Sequence, residues 1–277
     1  MTIVNQEMLP ELPPPPALAR KWSGQRIAGT TLMTIWIVSA ALMVAWLFTA
    51  WNPEFMQRYA PRYLNGLMVT LELVGKSIVL GAIISLPLAF MRMSSNSVLS
   101  MIAYAYVYFF RGTPLIAQLF LIYYGFGSFR AELEAIGLWG FFRDAWNCAL
   151  FAFTLNTAAY QAEILRGALE SVPKGQWEGG RALGLSDITI FRKIIMPQAM
   201  IVALRPYGNE IILMIKGSAI VAIVTVFDLM GETRRAYSRT FDFQTYIYAA
   251  ILYLIIVEAL RNIWNRLEAR LTRHLKR

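Results

Sequence analysis

Runs of apolar residues long enough to cross a lipid bilayer constrain this chain more than any other feature. The first runs from Gly29 to Trp51 and contains no charged side chain. A helix of that length extends about 34 Å, which matches the hydrocarbon thickness of a bilayer. Five further runs follow, at about 66–91, 98–125, 146–168, 199–227 and 245–260. Because a membrane-spanning backbone must bond its own polar groups, the sequence predicts an all-α integral membrane protein with six transmembrane helices.

Composition excludes several other classes of protein. Of the 277 residues, 57% are hydrophobic and only 16% are charged, which is typical of a polytopic membrane protein. With one cysteine, Cys148, and one histidine, His274, the chain cannot form an internal disulfide. The same scarcity argues against a Cys/His metal site, and we expect no metal, cofactor or nucleic-acid partner.

The chain divides into four predicted regions. Residues 1–28 contain the run Pro13–Pro16 and no early apolar core, so we expect an extended or disordered cytoplasmic tail. The span at 29–51 precedes a five-helix core at 66–260. In residues 261–277 arginines alternate with apolar residues at helical spacing, which predicts a basic amphipathic helix on the anionic membrane surface.

The polar stretch 171–197 lies between two predicted spans and is longer than a simple connection requires. A helix is predicted at 174–183, ended by Gly184 in the left-handed conformation. Ser186 is predicted to cap a second short helix, and Pro197 to close the unit. We interpret this helix–glycine–helix stretch as a docking surface.

The distribution of Lys and Arg predicts the orientation. Six spans place both termini and the 171–197 stretch on one side of the membrane. Of the 26 basic residues, sixteen fall on that side, seven on the other side and three within spans. The positive-inside rule therefore makes both termini and the 171–197 stretch cytoplasmic.

Charged and polar residues inside predicted spans mark either packing seams or a solute path. Arg111 lies mid-span beside Pro114, which we expect to kink or break the helix. Asn156, Tyr160 and Glu163 share one helical face. A packing role is favoured for Asn156, whereas both roles stay open for Glu163.

The fifth span carries the other polar candidates. Asn209 and Lys216 are seven residues apart and share a face, whereas Glu210 points elsewhere on a straight helix. Gly217-Ser218 predicts a break directly after Lys216, and broken helices are common at transporter solute sites. The alternative is that Lys216 snorkels to the membrane surface or pairs with Glu210 of a neighbouring subunit.

An ATP-binding loop is missing from the sequence. Gly75-Lys76-Ser77 resembles the end of one, but Thr70 stands where its first glycine would be. Glu72 and Lys76 are instead predicted to pair on one helical face.

The 171–197 stretch resembles the EAA loop of ATP-binding-cassette (ABC) permeases, in Glu178, then Gly184, then Ile195-Met196-Pro197. Gly179 and Gly180 replace the family's two alanines. Each glycine should destabilise the first helix by about 1 kcal/mol relative to alanine, which predicts a more flexible helix. Three further stretches resemble the polar amino-acid branch of these permeases: FFRGTPL at 109–115, LNTAAYQAEILRGAL at 155–169 and YGNEIILMIKGSA at 207–219. The resemblance covers about residue 66 to the end and is strongest to histidine/lysine/arginine and opine permeases.

This resemblance implies a non-catalytic subunit of a type I importer in the bacterial inner membrane. Its partners would be cytoplasmic ATP-binding subunits, a sister permease or second copy, and a periplasmic solute-binding protein. The implied ATPase-coupling residues are Trp177, Glu178, Arg181, Gly184 and Pro197. The implied substrate pathway comprises Asn156, Tyr160, Glu163, Asn209, Glu210, Lys216, Ser218 and Arg111, with Thr113 as a weaker candidate. The solute would be a polar amino acid or a related compound, including basic amino acids and opines.

The intramembrane charges suggest a second class of function, and a third class lacks a sequence basis. A self-sufficient channel or secondary carrier would use Glu163 and Lys216 to couple transport to an ion gradient. An intramembrane enzyme lacks support, because no span carries a suitably spaced His, Cys or carboxylate pair.

Overall fold

A computed structural model describes residues 23–49 and 53–273. In these residues the regular structure is helical, in the following order: α1 Gly24–Thr49, α2 Pro53–Arg92, α3 Ser97–Gly112, α4 Leu115–Phe120, a π-helical turn Leu121–Gly125, α5 Arg130–Ala135, α6 Trp139–Phe142, α7 Ala145–Glu170, α8 Lys174–Ala182, α9 Asp187–Ile190, a π-helical turn Phe191–Ile195, α10 Met196–Gly217, a 3-10 segment Ser218–Val224, α11 Leu229–Thr240 and α12 Gln244–Leu271. Most of the predicted tail 1–28 lies outside the described residues, as do Trp51 and His274.

The chain separates into two units, with the boundary between residues 52 and 53. Helix α1 is the regular part of the first unit. It has no buried residue and is apolar on every side, as expected of a helix surrounded by lipid.

Four described helical runs are long and apolar enough to cross a membrane: α1, α2, the run 187–224 and α12. The pair 97–112 and 115–125 makes a fifth if it is one broken span. The predicted fourth span is present as the 26-residue helix α7, although α7 is not among the runs that qualify as spans by length and composition. Protein rather than lipid surrounds α7, so its polar side chains find partners inside the bundle.

Helix α7 is the centre of the second unit and packs most extensively against α2, with α10 and α3 on its other sides. Small residues permit this close approach. A Cβ atom on Gly81 of α2 would lie 2.5 Å from Cγ2 of Thr157. Ala152, Phe153 and Ala158 of α7 are fully buried.

The predicted break at Pro114 is confirmed. Helices α3 and α4 meet at an angle of 105°. Gln118 stabilises the break, because its side-chain amide donates to the carbonyl oxygens of Phe110 (2.9 Å) and Thr113 (3.1 Å). The break predicted after Lys216 is not present: α10 ends at Gly217, but the chain continues directly as the 3-10 segment within one helical run, 187–224.

Helix α2 begins at Pro53, thirteen residues before the predicted start of the second span. Its extra turns are ordered by contacts distant in sequence, because Phe55, Tyr59 and Tyr63 form a buried cluster with residues of α11 and α12. The Tyr63 hydroxyl donates to the carbonyl oxygen of Thr245 at 2.9 Å.

The stretch 228–244, which connects the last two predicted spans, is not an irregular loop. Residues 229–240 form α11, and the Asp228 side chain caps this helix by accepting a hydrogen bond from the Gly231 backbone N–H at 2.8 Å. The connection 126–145 between the third and fourth predicted spans likewise contains the short helices α5 and α6.

Residues 261–271 are helical, as predicted, but they do not form a separate helix, because α12 continues without a break to Leu271. The Trp264 indole N–H donates to the carbonyl oxygen of Leu204 at 2.7 Å. Its ring covers Gly208 so closely that no Cβ would fit there. One face of this segment therefore packs on α10.

Candidate functional site

The first candidate site is the knuckle, defined as residues 174–195. Helix α8 covers 174–182, close to the predicted range. Gly184 has φ +74°, which confirms the predicted left-handed end of this helix. The predicted cap is confirmed too, since the Ser186 hydroxyl accepts from the Thr189 N–H at 3.4 Å.

The two glycines of α8 differ in their surroundings. A Cβ atom on Gly180 would lie 2.7 Å from Cγ1 of Ile190, which is fully buried. Nothing lies within 4 Å of a Cβ at Gly179. Gly180 therefore allows α8 and α9 to pack closely, a compensation that the sequence did not reveal.

Polar and aromatic contacts fix the two short helices against each other. Arg181 Nε donates to Asp187 Oδ1 at 2.8 Å, and this hydrogen bond raises the pKa of Arg181. The Arg181 guanidinium also lies 5.9 Å from the centroid of the Trp177 ring. Trp177 in turn lies 6.4 Å from the ring of Phe191. The knuckle is thus a preformed unit.

The tip of the knuckle exposes apolar side chains. Leu183 is 80% exposed and Ile188 is 72% exposed, on either side of Gly184, with Leu185 between them. Glu178 is exposed on α8. An apolar tip held by a polar, ordered support is typical of a surface that a partner covers. Sequence reasoning missed Leu183 and Ile188, although their place beside Gly184 was a usable signal.

Pro197 does not close the knuckle, contrary to the prediction. It lies in the first turn of α10, within a helical run that continues from Asp187 to Val224. Proline is tolerated there because the turn directly before α10, Phe191–Ile195, is π-helical, so the regular α-helical hydrogen-bond pattern is already interrupted.

The second candidate site is the Glu163 cavity, of about 350 Å³. Its walls come from α3, α7 and α10 and include Arg111, Tyr160, Glu163, Val202 and Pro206. Three of the predicted pathway residues therefore share one cavity.

Three arginines surround the Glu163 carboxylate. Arg92 Nε lies 3.1 Å away, Arg166 Nη2 2.8 Å and Arg111 Nη1 3.6 Å. Arg166 also pairs with Glu170 at 2.7 Å. The pair of Glu163 and Arg166 could have been predicted from its i, i+3 spacing on one helix. Arg92 is 71 residues away from Glu163, so the sequence did not predict this partner.

Arg111 is the least constrained of these arginines. Its side chain is 43% exposed, and its guanidinium lies 5.2 Å from the centroid of the Tyr160 ring. Because the distance to Glu163 is long, most donors of Arg111 are available to a group in the cavity.

A buried polar chain crosses the bundle beside this cavity. Gln161 donates to the Thr157 hydroxyl at 3.1 Å, and Thr157 donates to Glu210 Oε1 at 2.9 Å. Asn156 donates to Gln118 Oε1 and to the Phe110 carbonyl oxygen, each at 3.0 Å. Asn156 thereby ties α7 to the broken span, as expected of a packing residue.

The predicted pathway residues do not form one cluster. Asn209 lies in a groove between α10 and α12 beside Trp264, away from Glu163. Lys216 is exposed and forms no ion pair with a described residue. Ser218 is buried, with its hydroxyl donating to the Ile215 carbonyl oxygen at 2.8 Å, and Thr113 donates to the Phe109 carbonyl oxygen at 2.7 Å.

Residues 23–49 and 53–273 contain no group of three His, Cys, Asp or Glu side chains placed to hold a metal ion.

Comparison with known proteins places this geometry in a family. The profile of the family described as "Binding-protein-dependent transport system inner membrane component" matches residues 77–274. The nopaline transport system permease protein NocM of Agrobacterium fabrum is 43% identical over 197 residues, which cover 71% of this chain and 82% of NocM. The histidine/lysine/arginine/ornithine permease protein HisM of Escherichia coli K12 is 40% identical over 213 residues, covering 76% and 90%. A solved amino acid ABC transporter, crystallised with histidines, matches with a TM-score of 0.70 and 33% identity over 79% of this chain and 99% of that chain.

Proposed function

Since the chain belongs to the family of binding-protein-dependent transport system inner membrane components, we propose that it is the permease subunit of an ABC importer for polar amino acids or opines. The names of NocM and HisM support this solute class. In this proposal the subunit forms the path for the solute and catalyses no reaction of its own. The partners are ATP-binding subunits, a sister permease or second copy, and a solute-binding protein.

The observation that carries the proposal is the knuckle. It presents Leu183 and Ile188 on a support fixed by Arg181 and Asp187, at the end of the bundle where α7 leads into α10. A groove on an ATP-binding subunit would cover this apolar tip. Trp177 then packs against the rest of the knuckle, and Glu178 makes a polar contact with the ATP-binding subunit. Gly184 sets the angle of the tip. Pro197 lies beyond the knuckle and supports the start of α10 instead.

We place the knuckle in the cytoplasm, together with both termini, on the basis of the excess of Lys and Arg on that side. This orientation includes six membrane crossings: α1, α2, the broken pair of α3 and α4, α7, the run 187–224 and α12. It assigns α7 as a crossing that protein rather than lipid surrounds. The chain then lies in the bacterial inner membrane.

The Glu163 cavity is the strongest candidate for part of the solute path. Arg111 would bind a solute carboxylate there, because its guanidinium is only loosely paired with Glu163. Tyr160 would contact the solute beside it. Glu210 and Asn156 support the wall through their buried hydrogen bonds, whereas Asn209, Lys216 and Ser218 would act at other depths.

Co-purification followed by reconstitution tests the proposal. The chain is expressed with its ATP-binding subunit and solute-binding protein, and solute uptake into proteoliposomes is measured. Uptake should require both ATP on the knuckle side and the binding protein. Uptake by the chain alone, driven by an ion gradient without ATP, would favour a secondary carrier and overturn the proposal.

A further inference from the structure

A second cavity lies at the start of α11, at the other end of α10 from the knuckle. This α11 pocket has a volume of about 490 Å³ and is lined by Thr225, Phe227, Arg234, Arg235, Tyr237 and Tyr246, among others. None of these residues belongs to the Glu163 cavity. Helix α10 alone extends about 33 Å between the knuckle and the 3-10 segment that leads to this pocket.

The α11 pocket stands on a fixed base. A Cβ atom on Gly66 of α2 would lie 2.7 Å from the carbonyl oxygen of Asp228, so the two backbones are in direct contact. The Leu229 N–H donates to the Thr70 hydroxyl at 3.2 Å, and the Thr233 hydroxyl donates to the Leu229 carbonyl oxygen at 2.7 Å. These contacts hold the first turn of α11 against α2.

The two arginines of the pocket are positioned but keep unused donors. Arg234 Nη1 donates to the carbonyl oxygen of Ala222 at 3.2 Å. Arg235 lies 5.0 Å from the centroid of the Phe227 ring, and its Nη1 is 3.5 Å from Glu232 Oε1. A guanidinium has five N–H donors, so each arginine retains several for an incoming group.

The charge of the pocket favours an acidic ligand. Glu232 offsets part of the charge of Arg235, whereas Arg234 has no ion pair with a described residue. The aromatic rings of Phe227, Tyr237 and Tyr246 supply a wall against which the methylene groups of a side chain can pack. An Asp or Glu side chain meets both requirements, because its carboxylate binds guanidinium groups in a bidentate geometry.

We propose that the α11 pocket is a docking site for the solute-binding protein and accepts an acidic side chain of that protein. The proposal rests on the proposed function, which places the knuckle in the cytoplasm and therefore α11 on the opposite side of the membrane. A binding-protein-dependent permease must meet its binding protein on that side. The arginines of α11 then steer the encounter and fix the register of the two proteins.

The test measures docking of the solute-binding protein to the assembled permease–ATPase complex in phosphatidylcholine nanodiscs, by biolayer interferometry at several salt concentrations. The double substitution Arg234→Glu/Arg235→Glu should weaken docking about tenfold or more and reduce its salt dependence. Arg239→Glu is the matched control, because this exposed arginine of α11 lies outside the pocket. It should change docking by less than about threefold, the effect of a rim charge. The milder double substitution Arg234→Gln/Arg235→Gln checks that weaker docking does not come from misfolding. It should also weaken docking, while its thermal unfolding stays that of the wild type.

Three results would overturn the proposal. The first is wild-type docking by Arg234→Glu/Arg235→Glu. The second is an equal loss of docking in Arg239→Glu, which would indicate a general effect of charge on this face rather than binding in the pocket. Docking lost on addition of phosphatidylglycerol would assign the pocket to an anionic lipid headgroup. If wild-type complexes take up solute with ATP while docking is insensitive to Arg234 and Arg235, only this inference fails. If wild-type complexes need neither ATP nor binding protein, the proposed function fails.

Discussion

A Cβ atom at Gly180 would lie only 2.7 Å from Cγ1 of Ile190 and 3.3 Å from its Cγ2, and Ile190 has no exposed surface. The contact joins the two short helices of the knuckle. Since Ile190 is β-branched, its Cγ atoms have little freedom to move aside. The close approach therefore depends on glycine at position 180, although alanine would be the better helix former.

The neighbouring glycines give a matched pair of substitutions. Gly180→Ala should destabilise the knuckle, because overpacking costs about 1–3 kcal/mol against a gain of about 1 kcal/mol in helix propensity. Gly179→Ala should be neutral or stabilising, since nothing lies near that position. Thermal unfolding of both variants in detergent checks the difference. Ile190→Val should partly rescue Gly180→Ala, and equal midpoints for the two alanine variants would contradict this packing.

Glu163 and Arg111 should separate stability from transport. Glu163→Gln leaves arginines from α2, α3 and α7 without their shared carboxylate, which should cost about 1–3 kcal/mol, less than a fully buried ion pair because every partner is partly exposed. Arg111→Gln should cost less than about 1 kcal/mol, because that contact is long and partly exposed.

For transport we expect the opposite order: Arg111→Gln should reduce solute uptake more than Glu163→Gln does. Loss of a charge-assisted hydrogen bond to a solute carboxylate should lower uptake by Arg111→Gln about tenfold. Arg111→Lys, which retains the charge, should be the milder variant. Chemical unfolding and uptake are measured on the same preparations. Wild-type uptake by Arg111→Gln would remove this residue from the solute path.

Local features of the chain were predictable from the sequence. Gly184, Ser186 and Pro114 act through the backbone of their own segment, and each does what its residue type predicts. The pair of Glu72 and Lys76 also follows from spacing alone, and the structure shows it at 2.5 Å.

Features that depend on distant partners were not predictable. Arg92 reaches Glu163 only because α2 packs along α7. Trp264 marks a contact with Gly208 rather than a membrane surface, because α12 folds back beside α10. The knuckle glycines could not be interpreted without Ile190. In each case the sequence supplied the residue and tertiary packing supplied its partner.

Asp228 predicts a pH dependence of stability. Burial raises the pKa of its carboxyl group to about 6. Hydrogen bonds from the backbone of Gly231 and Met230 act in the opposite direction but are the smaller effect. The folded protein therefore binds more protons than the unfolded chain between about pH 4 and 6, and stability should fall as the pH rises through this window. Above pH 6 the full penalty is about 3 kcal/mol.

Asp228→Asn isolates this effect, because asparagine also caps helices well. The variant and the wild type should be equally stable near pH 4, and the variant should be more stable above pH 6. Thermal unfolding at a series of pH values measures the difference between them. A difference that does not change with pH would show that the carboxyl group titrates normally.

The most direct test of the central claim is the rate of solute-stimulated ATP hydrolysis by the reconstituted complex carrying Leu183→Glu/Ile188→Glu. These side chains are exposed and make up the apolar tip of the knuckle, so the substitution should leave folding intact. Ile136→Glu, at another exposed apolar position in the turn between α5 and α6, is the control. The account predicts that the knuckle variant loses stimulation by about tenfold or more, as expected when buried interface anchors are removed, while the control retains it. Normal stimulation in the knuckle variant would show that this surface does not couple the permease to its ATPase.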